Sequence, residues 1–272
     1  MKPAPFEYER PDTLKKASLL ASEADRTVKI VAGSQSLGPM LNMRLTRPDR
    51  LVDITAIPEL RQVSQTPGAL TLGACITHAD IEDGRVPDTT NGLLRFVASR
   101  IAYRAVRNRG TIGGSLCHAD PAADWLSALG LLGTTVHVAS SDARQTIPIE
   151  EFTTGPFGTK LLTGDLLETV EIPSLSRSAR WGYYKFCRKP GEFAHAVAGV
   201  LRDEDRQVFR AVIGGSKAPP IYVADANSLI DDRNGWSVKK TAVVDLLAAH
   251  GVSEPYDLQL HVLALERAVA RS

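Results

Sequence analysis

Ala32, Gly33, Ser34, Gln35 and Ser36 form an uncharged run between an apolar stretch, "TVKIV", and an amphipathic one, "LGPMLNMRL". A second small-residue run, Thr111, Ile112, Gly113, Gly114 and Ser115, sits inside "RNRGTIGGSLCHADPAADW". Both have the chemistry to hold a diphosphate. Main-chain N–H groups at a tight bend or a helix start hydrogen-bond phosphate oxygens without adding bulk. Glycine allows close approach, and serine and threonine add hydroxyl donors. Neither run is a GxGxxG fingerprint or a lysine-bearing phosphate loop, so each taken singly reads first as a structural turn. Asp124 lies ten residues past Gly114. Its carboxylate suits a ribose hydroxyl, although by residue type a cap on the helix starting near Trp125 is the commoner use.

Other residues that could carry chemistry are weaker. His78 and His118 accompany no GxSxG nucleophile and no HExxH or HxxxH metal spacing, and read as structural. Arg107 and Arg109 flank the second run, suited to a phosphate, a solvated turn or a subunit contact. "RKPGEF", Arg188 to Phe193, is a polar turn after a strand, and Lys185 by type alone is a solvated strand lysine. Lys239 and Lys240 belong to an ordinary solvated helix face.

The chain has 272 residues, enough for one large domain or two modest ones. Lysine and arginine number 32 against 31 aspartate and glutamate, leaving no electrostatic footprint for nucleic acid or an acidic membrane. The three cysteines Cys75, Cys117 and Cys187 form no CxxC pair, so iron–sulfur and zinc signatures are lacking. That odd count, with no apolar leader in "MKPAPFEYERP" and no run able to span a bilayer, fits a cytoplasmic chain.

The elements that must position the two runs follow from periodicity. "DTLKKASLLASEAD" places Leu14, Ala17, Leu20 and Ala21 on one helical face, with Asp12 as its cap. Up to residue 55 the order reads strand–helix–strand–helix–strand. "ALTLGACIT" reads as a buried strand or strand pair, "NGLLRFVASRIAYRAVRN" as helix in one or two pieces, "AADWLSALGLLG" as helix, and "TVHVAS" and "LLETVEIP" as strands. Composition shifts at "PSLSRSAR", residues 173–180. Beyond it come three strands, "WGYYKFCR", "AVAGVLRD" and "QVFRAVIGG", and three helices, "VADANSLIDD", "SVKKTAVVDLLAAHG" and "YDLQLHVLALERAVAR". The class is α+β.

"AGSQSLGPMLNMRL" and "RNRGTIGGSLCHADPAAD" resemble the two FAD-binding segments of the flavoprotein subunit of molybdenum hydroxylases, a family that includes bacterial carbon monoxide dehydrogenase and the flavin domain of xanthine dehydrogenase. "RPDRLVDI", "LTLGACITHADIE", "GDLLETVEIP" and "YYKFCRKPGEFAHAVAGV" follow in the family's order, so the resemblance covers nearly the whole chain. It implies a two-lobed FAD-binding domain of the vanillyl-alcohol-oxidase type over 1–175, with lobes at about 1–56 and 57–175, and a small α+β C-terminal domain over 178–272 with a three-stranded sheet. Ile30, Val31, Ala32, Gly33, Ser34, Gln35, Ser36 and Leu37 would hold the pyrophosphate from one lobe. Thr111, Ile112, Gly113, Gly114 and Ser115 would close on it from the other. Asp124 and Ile101 would serve the adenosine side. Leu167 would pack near the isoalloxazine, Lys185 would reach the flavin ring, and the Arg188–Phe193 turn would gate access.

Ser34 stands where many relatives carry glycine. If the bend needs a positive φ there, strain of about 1 kcal/mol results. Cys117 stands where alanine is commoner and reads as a small buried filler.

The implied function is electron relay. FAD sits on this chain, [2Fe–2S] clusters on a small partner subunit and the molybdopterin cofactor on a large one, the whole being a dimer of heterotrimers. No residue here catalyses substrate hydroxylation, and no metal site is expected. Two other classes stay open: a free-standing flavin oxidase or reductase of the same fold, and a non-catalytic nucleotide-binding module.

Overall fold

The computed structural model describes residues 2–215, 217–231 and 235–272. The first part of the chain runs β1 (Glu7–Glu9), α1 (Leu14–Ala21), β2 (Val28–Val31), α2 (Leu37–Asn42) and β3 (Arg50–Asp53). The three strands form one parallel sheet in the order β1-β3-β2. β3 is the middle strand and all four of its residues are buried, as a parallel strand covered on both faces requires.

The second part runs β4 (Val63–Gln65), β5 (Ala69–Gly73), α3 (His78–Glu82), α4 (Leu93–Ala98), α5 (Arg104–Arg107), α6 (Ile112–His118), α7 (Asp124–Leu132), β6 (Thr135–Ala139), β7 (Arg144–Pro148), α8 (Ile149–Phe152), β8 (Thr153–Gly155), β9 (Gly158–Thr159) and β10 (Leu166–Pro173). Five of these strands make an antiparallel sheet in the order β4-β5-β10-β6-β7. The β10–β6 register slips between Leu167 and Thr169. Such a bulge bends a strand and re-aims its side chains.

The third part runs β11 (Arg180–Phe186), β12 (Ala196–Asp203), β13 (Val208–Gly214), β14 (Ile221–Val223), β15 (Ile230–Asp231), β16 (Ser237–Val238), α9 (Lys240–Ala249) and α10 (Pro255–Val269). The three expected strands are present, and β14 extends them to a four-stranded antiparallel sheet. "VADANSLIDD" is not a helix. It ends β14, makes a 3-10 turn at Ala226–Ser228, where the Asp225 carboxylate accepts from Asn227 N, and enters β15; Asp232 lies outside the described residues. Aspartate and asparagine side chains compete with the backbone for local bonds, which favours turns over helices. Ser237 and Val238 likewise pair with β15 before α9 begins.

Every residue of α7 is buried. A helix that is apolar all round belongs inside a structure. Leu131 of α7 lies against Gly199 of β12, and Gly130 faces the Tyr222 ring of β14. The core containing Trp125, Leu129 and Leu131 continues into Tyr183, Val197, Leu201 and Val212. The core therefore crosses the composition shift at 173–180. On the other face of the third sheet, Ala198, Val200 and Ile213 pack with Leu247, Leu265 and Ala268 from α9 and α10.

The α1 cap is Thr13, not Asp12. The Thr13 side chain accepts from Lys16 N at 3.3 Å. Thr13→Ala is expected to lower unfolding stability by about 1 kcal/mol in a urea titration, and Asp12→Ala to leave it unchanged.

Candidate functional site

A cavity of about 890 Å³ opens between the first two parts of the chain and reaches the turn after β11. That is the size range of small-molecule and cofactor sites. The two small-residue runs meet at its wall. A Cβ at Gly33 would fall 2.1 Å from the Arg109 carbonyl oxygen and 2.8 Å from Gly110 Cα. Only glycine permits that approach. Behind the second run, a Cβ at Gly113 would lie 2.5 Å from the Ala74 Cβ.

The runs differ in what they offer. Among the described residues no acceptor takes the amides of Gly33, Ser34, Gln35, Ser36 or Leu37. The Gln35 side chain folds back, its Nε2 donating to the Gly33 carbonyl at 2.9 Å. Ser34 has φ 58°, so the anticipated strain is real at this bend. Its carbonyl receives Gly38 N at 3.0 Å, which ties the bend to α2.

The second run was expected to present amides in the same way, and it does not. Ile112 N donates to Ile76 O and Gly113 N to Ala74 O, both at 3.0 Å; Ser115 N donates to Thr111 O at 3.0 Å. Gly114 N donates to Thr111 Oγ1 at 3.1 Å. The first-turn amides of a helix ordinarily lack partners. Here the carbonyls after β5 and the Thr111 cap occupy them. What this run gives the cavity is close backbone packing and the Ser115 side chain.

Ile30, Ala32, Gly33, Ser34, Gln35, Ser36, Leu37, Ile101, Thr111, Gly113, Gly114, Ser115, Asp124 and Leu167 all line the cavity. Val31 and Ile112 are buried behind it and are not on its wall. The β10 bulge places Leu166 and Leu167 there. Asp124 does not cap α7: the cap position is Ala123, without a side-chain bond. The Asp124 carboxylate instead pairs with Lys185 Nζ at 2.7 Å, both side chains 6% exposed. Burial pushes the Asp124 pKa up, and the Lys185 charge opposes that shift. Lys185 itself is not on the wall; its ammonium faces Asp124 and the Arg100 carbonyl.

Cys117 is not a buried filler, for its side chain is exposed onto the cavity. His118 also lines it, with its ring 5.3 Å from that of Phe157. Arg107 turns inward to Glu82 and to two main-chain carbonyls, so it is neither a solvated turn nor a phosphate ligand. Lys29, Asp120, Asp165, Tyr103 and His195 were not anticipated as lining residues. Lys29 lies in β2, two residues before the strand's end, and Asp165 lies inside "GDLLETVEIP"; adjacency to those segments is the sequence signal for these two.

The parallel β-α-β unit, the antiparallel partner sheet and the cleft between their two bends define a two-lobed dinucleotide-binding chain. Residues 4–175 match the model of the family described as FAD binding domain in molybdopterin dehydrogenase. The chain is 35% identical over 237 residues to 6-hydroxypseudooxynicotine dehydrogenase complex subunit alpha of Paenarthrobacter nicotinovorans, covering 85% of this chain and 80% of that protein. It is 31% identical to the carbon monoxide dehydrogenase medium chain of Hydrogenophaga pseudoflava, covering 74% of this chain and 70% of that one. The solved carbon monoxide dehydrogenase from H. pseudoflava that lacks the Mo-pyranopterin moiety superposes with a TM-score of 0.87, 27% identity and coverage of 100% of this chain and 98% of the other. Quinoline 2-oxidoreductase from Pseudomonas putida 86 gives 0.84, 29%, 99% and 97%. The chain belongs to the FAD-binding family of the molybdopterin dehydrogenases, and is an oxidoreductase subunit of that type. Among its described residues no helix is long and apolar enough to cross a membrane.

The residues present fit FAD. A glycine-tight bend with five unpaired amides and Lys29 at the same wall suits a diphosphate, and apolar Ile101 and Leu167 suit flat rings.

His78 opens α3 and is buried, its Nδ1 accepting from Trp125 Nε1 at 3.1 Å. Burial, and secondarily the Arg107 charge, push its pKa down to about 4. Below pH 6.5 the unfolded chain takes up a proton here that the folded chain refuses, so stability falls as pH falls. Between pH 6.5 and 5 this amounts to roughly 2 kcal/mol. His78→Gln is expected to flatten the urea-midpoint profile over that window; an unchanged slope places the acid sensitivity elsewhere.

Proposed function

We propose that this chain is the FAD-carrying electron relay of a heterotrimeric molybdenum hydroxylase. The observation that carries the reading is the junction of Gly33 with Arg109 and Gly110, which brings a bend of unpaired amides onto the second glycine run at one cavity wall. Names such as medium chain and complex subunit among the relatives support assembly with other chains.

On this reading Gly33 to Leu37 hold the pyrophosphate, Ser115 adds a hydroxyl, Ile101 and Asp124 serve the adenosine side, and Leu167 packs near the isoalloxazine. Residues 1–175 are the FAD-binding domain with lobes at 1–56 and 57–175, and 178–272 the domain that closes the cleft. When bound, FAD supplies the passage of electrons from [2Fe–2S] clusters on a small subunit to an external acceptor, while a large molybdopterin subunit hydroxylates substrate. The assembly is a dimer of heterotrimers. Three free cysteines support a reducing cytoplasm.

The full chain, purified alone and titrated with FAD, is expected to turn yellow and quench flavin fluorescence, and to reduce an artificial acceptor slowly without oxidising organic substrates. Gly33→Ala is expected to weaken FAD binding at least about tenfold, since its methyl collides with the Arg109 carbonyl. Robust oxidation of a small substrate by the chain alone, or a chain that takes up no FAD, would overturn the proposal.

A further inference from the structure

Three consecutive carbonyls at the cavity edge each accept from a cation. The Arg100 carbonyl accepts from Lys185 Nζ at 3.4 Å. The Ile101 and Ala102 carbonyls accept from one Arg107 nitrogen, Nη1, at 3.0 and 2.9 Å. Each cation also pairs with a carboxylate. Lys185 pairs with Asp124. Arg107 grips Glu82 as a fork, Nε to Oε2 at 2.7 Å and Nη2 to Oε1 at 3.0 Å, with 12% of its side chain exposed. A guanidinium serves this geometry because its planar donors reach a carboxylate and two carbonyls together.

The held segment is strained. Ala102 has φ 45°, a conformation unfavourable for a residue with a Cβ that persists where surrounding bonds over-determine it. It is also where the last part of the chain touches the second. Ala102 N donates to the Gly191 carbonyl at 2.9 Å. A Cβ on Gly191, whose φ is 89°, would lie 2.4 Å from the Ala102 oxygen. Ile101, Ala102 and Tyr103 line the cavity from one side of this contact, and Gly191, Glu192 and Phe193 from the other.

We infer that Arg107 and Lys185 are positioning residues for the FAD site: they hold the Arg100–Ala102 segment in the one shape on which the Arg188–Phe193 turn closes the cavity. The inference rests on the FAD reading above. Arg107 sets the wall that Ile101 presents, and Lys185 ties the same segment to the start of α7.

The test uses the full chain and Arg107→Met, Arg107→Lys and Glu82→Gln. Glu82 keeps Arg104 as a partner at 3.0 Å when Arg107 is lost, so no carboxylate is stranded. Arg144→Met, which removes a surface pair whose arginine is 71% exposed, is the control. Two readouts are taken: the FAD dissociation constant with the visible circular dichroism of the bound flavin, and trypsin cleavage after Arg100 and Arg104 without FAD.

Arg107→Met is expected to weaken FAD about tenfold, alter the flavin dichroism and open both cleavage sites. Arg107→Lys is expected to recover part of each change, Glu82→Gln to give a milder version, and Arg144→Met to match the parent. Arg107→Met that matches the parent in affinity, dichroism and cleavage overturns the inference; should Arg107→Met not fold, Glu82→Gln matching the parent does so. If the parent itself takes up no FAD, the relay reading fails, and the cleavage pattern still decides whether the clamp exists.

Discussion

Gly33 lies so close to the Arg109–Gly110 peptide that no side chain fits between them, and the cavity exists because backbones from the first two parts of the chain meet at that point. The first belongs to the parallel sheet, at the end of β2. The second leads into α6, which is packed on Ala74 and Ile76 behind β5. Because both segments are anchored behind the contact, the bend from Gly33 to Leu37 is held with its amides unpaired among the described residues. Such a bend is stable only if water or a ligand satisfies it, since a main-chain donor left without a partner is costly.

The two glycine runs thus divide the work. One presents donors; the other supplies a surface so tight that the donors can be approached. Deeper in the molecule, the wholly buried α7 carries Asp124 to the cavity and ties it to Lys185, so the last sheet and the cavity share one electrostatic joint. A buried ion pair gains little net stability against its desolvation, but removing one partner is strongly destabilising. Its effect is to fix where β11 sits relative to the start of α7.

Much of this is legible in the sequence. The α7 helix, β10 and β11 to β13 follow from periodicity because their buried faces are long and regular, and the strand–helix–strand–helix–strand order up to residue 55 is also present, although its first strand is three exposed residues. The convergence of the two runs followed from a family resemblance, not from local pattern. What failed to show in the sequence depends on distant partners. The amides of Ile112 to Ser115 look available until Ala74 and Ile76 take two of them. Arg107 looks like a phosphate ligand until Glu82 and the Ile101 carbonyl arrive from elsewhere in the chain. β14 is three residues long, too short for alternation to announce it.

The most direct measurement of the division between the runs is amide hydrogen exchange on the full chain with and without FAD. Gly33 to Leu37 are expected to exchange fast in the apo protein and to slow sharply with FAD, while Ile112 to Ser115 are already slow and change little. Slow exchange at Gly33 to Leu37 without FAD, or protection gained mainly at Ile112 to Ser115, would contradict it.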